Sequence, residues 1–235
     1  MVVKVSLKEL LEAGAHFGHQ SRRWNPKIEP YLYGAEKGVH VFDLTKTKEA
    51  LEEALDVLKK TSKENKVILF VGTKKQAKEK IKEVAQATDC FYVNERWLGG
   101  TLTNFEQIQK SIKKLSKMKE KREEGEYKHF TKKERLLLDR EITRLERFFG
   151  GIAELNGLPD LLVVVDIRKE VGAIKEAQMK GITTVGIVDS NSDPTGIDYP
   201  IPMNDDASKA IDYVLSLMQK AVQEGRGKSK RKTSK

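Results

Sequence analysis

Residues 13–27 read Ala-Gly-Ala-His-Phe-Gly-His-Gln-Ser-Arg-Arg-Trp-Asn-Pro-Lys. This stretch sets two histidines, three cations, a tryptophan and a proline close together, with no carboxylate or thiol among them. Such a mixture suits the grip of nucleic acid: guanidinium and ammonium groups meet phosphates, a planar ring meets a base or sugar, and proline stiffens the loop. An ordinary basic loop beside a packed tryptophan explains the same residues, and the stretch alone does not separate the two readings. A second candidate lies in Phe70-Val-Gly-Thr-Lys-Lys-Gln-Ala77. There a strand turns through Gly72 toward a helix N-terminus whose free N–H groups favour anions, with Lys74 and Lys75 beside them. It lacks the glycines that let a backbone wrap a nucleotide, so a plain strand-to-helix turn is the simpler reading, and a phosphate contact the next.

Catalytic arrangements are hard to assemble. Neither G-x-G-x-x-G nor G-x-x-x-x-G-K-[ST] occurs, and G-x-S-x-G is missing. Asp166 ends an apolar run as a phosphoacceptor aspartate would, but the expected acidic pair is not evident at another strand end. His16 and His19 are three apart with no third metal ligand nearby in sequence, and His40 and His129 stand alone. Asp189-Ser-Asn-Ser-Asp193-Pro194 lacks the ligand pattern of a calcium loop and reads as an Asx-rich turn. Asn204-Asp205-Asp206 most simply caps the last helix. The expectation is therefore a binding protein without catalytic residues, cofactor or metal.

The elements that must position these residues alternate. Val39–Phe42 precedes a helix carrying Leu51, Leu55 and Leu58. Val67–Val71 is apolar at every position, as a strand covered on both faces must be. A helix through Ala77, Ile81 and Val84 follows, then Cys90–Val93. After an interruption come Leu161–Val165, a helix near 169–180 ended by Gly181, Thr184–Val188, a short strand at Tyr199–Ile201 and a helix near 206–223. Strands alternating with helices predict βαβ units and a parallel sheet wrapped on both sides, a three-layer α/β fold. The interruption, residues 104–150, carries two apolar seams: Phe105, Ile108, Ile112, Leu115, and then Leu138, Ile142, Leu145, Phe149, Ile152. The polar segment 123–133 divides them, which predicts an antiparallel helical hairpin of coiled-coil type. The chain thus divides into a discontinuous α/β domain (1–103 and 151–224), an inserted hairpin (104–150) and a basic tail (225–235).

Of the 235 residues, 34% are charged, and the net charge is +9. The excess favours an anionic partner. Part of it lies in the hairpin, with 14 Lys/Arg against 9 Asp/Glu between Glu106 and Arg147, and part in the tail, with six cations and no apolar side chain after Gly225. One cysteine, Cys90, excludes an internal disulfide and is expected to be buried. The lack of an apolar leader or a long apolar run is read as a cytoplasmic, soluble chain.

Several segments, in order, are similar to the bacterial small-subunit ribosomal protein S-two family. They are Leu10-Leu-Glu-Ala-Gly-Ala-His-Phe-Gly-His19, Arg23-Trp-Asn-Pro-Lys27, Ile68–Ala77 and Tyr92-Val-Asn-Glu-Arg-Trp-Leu-Gly-Gly-Thr-Leu-Thr-Asn-Phe105. Further on come Leu158–Asp166 with Arg168-Lys-Glu170, Gly186–Pro194 and Ile201–Ala207. The likeness runs over about residues 5–222. It departs at Ala15, where Val is usual, at Ile167, where Pro is common, and in the short tail. The resemblance implies a flavodoxin-like (Rossmann-like) parallel sheet with a coiled-coil insertion. It further implies a structural place on the small subunit between head and body, bound to rRNA, reached late in assembly and supporting the docking of ribosomal protein S-one. The residues expected to contact rRNA are Arg22, Arg23, Trp24, Lys27, Lys74, Lys75 and Arg96. Trp97, next to Leu98 and Gly99-Gly100, is more readily a packed side chain than a stacking one.

Overall fold

The computed structural model describes residues 4–227. Most of the basic tail, residues 228–235, lies outside the described residues. Helix α1 (Leu7–Glu12) opens on Ser6, whose hydroxyl accepts the Glu9 N–H, and buries Leu10. Three short strands follow: β1 (Phe17–Gln20), β2 (Leu32–Glu36) and β3 (Val39–Phe42). They form an antiparallel sheet in the order β1-β3-β2. Here the structure corrects the expectation, since Val39–Phe42 is the centre of a separate small sheet and not a strand of the parallel one. Strands β1 and β2 are mostly exposed or half-buried and carry little alternation, so no period marked them in the sequence. Lys37 and Gly38, both at positive φ, make the tight turn between β2 and β3.

The parallel sheet comprises β4 (Ile68–Val71), β5 (Phe91–Val93), β6 (Leu161–Val165), β7 (Thr183–Val188) and β8 (Tyr199–Pro202). Its order is β5-β4-β6-β7-β8, parallel throughout. The chain begins near the middle at β4, steps outward to β5, then crosses back to β6, so the direction of winding reverses between β4 and β6. This is the order of flavodoxin-like sheets, and the reversal leaves a crevice at the carboxyl ends of those two strands.

Alternate residues of the strands face opposite layers. Ile68, Phe70, Val163, Val165, Val185, Ile187 and Ile201 pack against α2 (Leu44–Lys63), α3 (Lys78–Ala87) and α7 (Ser208–Gly225). Leu69, Val71, Val93, Leu162, Val164 and Val188 face α4 (Phe105–Glu123), α5 (Lys132–Phe149) and α6 (Val171–Lys180). Both faces are thus dry, which is why these strands read as unbroken apolar runs. Helix α6 stops at Gly181, which takes the left-handed conformation at φ +64°. Cys90 is buried, and burial pushes its thiol pKa up.

Helices α4 and α5 interrupt the series between β5 and β6. Their seam residues Ile108, Ile112, Leu115, Ile142, Leu145 and Phe149 are buried. Ion pairs join the two helices: Lys114–Glu141 at 3.0 Å, Lys119–Glu146 at 2.7 Å and Arg122–Asp139 at 3.5 Å. At the far turn Thr131 and Glu134 form a reciprocal capping box. Between residues 116 and 141 no side chain is fully buried, so only the near half of the pair rests on the sheet layer.

The return from α5 passes against β5 so closely that a Cβ at Gly151 would lie 2.1 Å from the Tyr92 carbonyl oxygen. Backbone cannot yield as a flexible side chain does. Gly151→Ala is expected to lower stability by about 1–3 kcal/mol, read as a fall in the urea midpoint. An unchanged midpoint would show that the contact relaxes freely.

Candidate nucleic-acid interface

Every residue picked out for RNA contact belongs to one of two places: the loop after β1, or the carboxyl end of the parallel sheet. Arg22 and Arg23 sit in a short 3-10 turn and are exposed. With Gly18, His19, Gln20, Val39, Asn204 and Asp206 they line a cleft of about 400 Å³. Arg22 Nε donates to Gln20 Oε1 at 2.9 Å, which aims the guanidinium without neutralising it. Trp24 is half-buried, its ring 4.8 Å from that of His40 and packed on the core that includes Ile28 and Phe42. Packing therefore claims much of its surface. Lys27 is exposed but bonded through Nζ to Asp193 at 2.7 Å, and this bond draws the Asp193 carboxyl down to a pKa of about 2.

The β1 loop is tied to the sheet end by Ser190 and Asp189, which follow β7. Ser190 Oγ accepts the His19 N–H at 2.7 Å, and the Ser190 carbonyl accepts the Asn25 N–H at 2.8 Å. The fit is close: a Cβ on Gly18 would meet Ser190 Oγ at 2.7 Å. His19 Nδ1 lies 2.9 Å from Asp189 Oδ1, and its Nε2 lies 3.5 Å from Asp206. The hydrogen bond to Asp189 raises the His19 pKa above its ordinary value, burial opposing it.

Lys74 is the hub of this region. Its Nζ reaches Asp205 at 2.6 Å, Asp206 at 2.5 Å and Asp166 at 3.4 Å, and its side chain is only 14% exposed. Burial works against its charge, yet the bonds to Asp205 and Asp206 and the field of Asp166 hold the proton firmly, with the pKa well above that of a free lysine. Asp189 adds a fourth carboxylate by accepting the Asp205 N–H at 3.1 Å. Negative charge is in excess of what one ammonium and one imidazole can match. Asp205, buried and repelled by Asp189 and Asp166, has its pKa pushed up to about 7.

Asp205 and Asp206 stand just past β8, the last strand, and not after an early strand as a phosphoacceptor site would require. Their carboxylates are occupied by Lys74 and His19. The helix-capping expectation changes: the Asn204 side chain accepts the Asp206 and Ala207 N–H groups, and the cap position of α7 is Ala207, which offers no side-chain bond. Together, His19, Lys74, Asp166, Arg168, Lys169, Asn191 and Asp205 surround a cleft of about 390 Å³. It lies at the end of the sheet where its winding reverses.

The turn after β4 is filled from within. Glu170 accepts from the Thr73 N–H at 3.1 Å and from its hydroxyl at 2.5 Å, and Lys169 Nζ donates to the Thr73 carbonyl at 3.0 Å. Burial raises the Glu170 pKa. A Cβ at Gly72 would fall 2.2 Å from Ile81 Cδ1, so this glycine serves the packing of α3. Helix α3 starts at Lys78, four residues beyond Lys74, and the turn between is closed by Lys74 carbonyl bonds. The plain-turn reading describes this segment. Lys75 and Arg96 are exposed at the ends of adjacent strands. Among the described residues no group of three or more His, Cys, Asp or Glu side chains is arranged to hold a metal. The Asp189–Pro194 segment is a chain of local turns, with Asp189 and Asp193 accepting from the N–H groups of Ser190 and Thr195.

Sequence reasoning missed Glu176. Its carboxylate, on α6, accepts from the Trp97 indole and from the segment leading into α4. A lone glutamate inside a helix carries no signal of such a role.

This is an α/β protein whose crevice at the carboxyl end of the sheet is lined by its own ion cluster and whose exposed cations lie at the same end. The sequence model of the family described as Ribosomal protein S2 matches residues 10–225. Over 222 residues the chain is 48% identical to a protein of Coprothermobacter proteolyticus called small ribosomal subunit protein uS2, covering 94% of this chain and 83% of that one. The chain belongs to the ribosomal protein S2 family. It is a structural constituent of the ribosome and not an enzyme. No helix among the described residues is long and apolar enough to cross a membrane.

Two consequences of the Lys74 cluster can be measured. Replacing Lys74 by Met leaves buried carboxylates without their cation and is expected to cost about 3–5 kcal/mol; a loss under about 1 kcal/mol would show the cluster to be solvated. The second concerns pH. In the unfolded chain Asp205 ionises near pH 4, roughly its free value, whereas in the fold it holds its proton to about 7. Between these values the folded state binds more protons, so this group makes stability fall as pH rises. His19, raised, acts in the same direction and loses its contribution as pH climbs through its folded value. Asp205→Asn should therefore flatten the decline of Tm between about pH 4.5 and 7, and a slope equal to that of the wild type would refute the assignment.

Proposed function

We propose that this protein binds small-subunit rRNA between the head and body of the small ribosomal subunit through its β1 loop and the carboxyl end of its parallel sheet. The observation that carries this is the set of exposed cations Arg22, Arg23, Lys75 and Arg96 along one end of the sheet, in a ribosomal family and without a reactive set among them. Each exposed cation that meets a phosphate releases condensed counterions, so binding weakens steeply as salt rises. Phosphate contacts of this kind fix position and carry little sequence information. Lys27 joins them by exchanging Asp193 for a phosphate. Lys74 acts from beneath: its charge is matched by carboxylates, and one of them, Asp206, also faces His19 at the end of β1 that precedes Arg22 and Arg23. Trp24 offers its remaining exposed edge to a base or sugar.

In this reading the α4–α5 pair, residues 104–150, is an inserted coiled-coil arm on a discontinuous α/β domain (1–103 and 151–224), and the basic tail from 225 adds further phosphate contacts. The arm and the sheet face neighbouring ribosomal proteins, among them S-one, whose docking the protein supports after joining late in assembly. The setting is the ribosome of the cytoplasm. A core that is packed on both faces and an end that is cationic suit a component added to RNA that has already folded.

The double variant Arg22→Glu, Arg23→Glu replaces two exposed side chains, so the isolated fold should keep its Tm. Its occupancy in small subunits purified at near-physiological salt should fall by about tenfold or more, and the dependence of binding on salt should become shallower by roughly two phosphate contacts. Sucrose-gradient sedimentation with quantitation of the protein per subunit reads both. Wild-type occupancy of the variant would sink the interface as drawn.

A further inference from the structure

The chain leaves β5 at Val93 and must turn sharply to enter α4. The segment that makes this turn, Trp97 to Thr103, has little regular structure of its own, yet its polar groups converge on one atom pair across the layer. Glu176 Oε1 accepts from the Trp97 indole Nε1 at 3.1 Å and from the Gly100 N–H at 2.9 Å. Its Oε2 accepts from Leu102 N–H at 2.9 Å, Thr103 N–H at 3.0 Å and the Thr103 hydroxyl at 3.0 Å. Five donors meet one carboxylate on a residue only 8% exposed. Burial alone would favour the neutral acid, but these donors outweigh it and the Glu176 pKa lies below its ordinary value. Bonds from N–H to a charged acceptor are about twice as strong as neutral ones.

The other fastenings of the arm are of a different kind. Ile108, Ile112, Leu145 and Phe149 bury against the sheet layer without preferred direction. Glu95, half-buried beside β5, holds Arg147 of α5 at 2.5 Å and Lys78 of α3 at 3.1 Å. Hydrophobic contact allows a helix to slide or rock, and an ion pair with an exposed arginine is easily remade. Five convergent hydrogen bonds fix direction. Gly100 at φ +88° completes the geometry, since its N–H reaches Glu176 from a backbone conformation that other residues rarely adopt.

We propose that Glu176 is the positioning residue for the α4–α5 arm: its ionised carboxylate sets the turn Trp97–Thr103 and hence the direction in which the arm leaves the sheet. The partner of the arm is the neighbour named in the proposed function, so the consequence for assembly rests on that reading, while the positioning itself does not.

Glu176→Gln keeps the volume but removes the charge and presents an NH2 to donors. In the full-length protein, spin labels at Lys121 and at Lys209 on α7 report the arm's distance from the core. Glu176→Gln should broaden that distance distribution at least twofold and speed amide exchange of residues 100–108 by tenfold or more, with the exchange of β6 and β7 unchanged. Trp97 supplies a charge-specific signal: in a Trp24→Phe background its emission should change in acid, below the range of an ordinary glutamate, as Glu176 takes a proton, and Glu176→Gln should lose that step. Trp97→Phe, which removes one donor of five and leaves the charge, should keep the narrow distribution. A narrow distribution and wild-type exchange in Glu176→Gln would overturn the proposal. If instead the arm loosens while occupancy in small subunits stays at the wild-type level, the positioning stands and the arm's part in binding fails.

Discussion

An ammonium taken out of water needs close anions, and carboxylates gathered in a dry place need a cation. Lys74 and its ring of aspartates satisfy both demands at once, and much of the molecule is arranged around that fact. Through this one side chain the end of β4 is joined to those of β6 and β8. Asp206 and Asp189 then reach His19, so the small antiparallel sheet is held to the large one. A lysine with excess carboxylates around it stays charged, and the surplus negative charge is relieved on Asp205, which is buried and repelled by Asp189 and Asp166.

The same cluster explains how a fold that commonly carries a ligand at this end can serve as a surface instead. In open α/β sheets the crevice at the reversal of winding is the usual place for a nucleotide. Here the carboxylates of Asp205 and Glu170 occupy from within the Lys74 ammonium and the Thr73 N–H that a bound phosphate would otherwise use. Thr73 gives its N–H to Glu170, and Gly72 is spent on the approach of Ile81. What stays available for a partner is the outer ring of cations. Rigid scaffolds with binding groups on their loops recur widely, because loops tolerate varied chemistry while the core keeps its shape.

Two carboxylates of the α6 segment do comparable work. Glu170 holds the turn that follows β4, and Glu176, six residues later on α6, holds the turn that follows β5. Their protons respond differently, because Glu170 meets one threonine while Glu176 meets five donors: burial wins at the first and hydrogen bonding at the second.

Local pattern by itself determined the helices and the parallel strands. The runs Ile68–Val71 and Leu161–Val165 are apolar at every position because both faces of the sheet are covered. The seams Ile108–Ile112–Leu115 and Ile142–Leu145–Phe149 recur at helical spacing because one stripe of each helix is buried. It also marked Arg22 and Arg23 as loop cations and Lys75 as a cation at a strand-to-helix turn, whereas only the family resemblance singles out Arg96. Only the tertiary structure decided what surrounds them. The strands β1 and β2 are too short and too exposed to show a period, so Val39–Phe42 was grouped with the wrong sheet. Lys74 and Lys75 are adjacent and alike in sequence, yet one is enclosed by aspartates more than 90 residues away and the other is exposed. Glu176 lies among ordinary helix residues, and its donors come from 73 to 79 positions earlier. Spacing reports the period of an element, whereas charge pairing across the ends of a sheet depends on which elements the chain brings together.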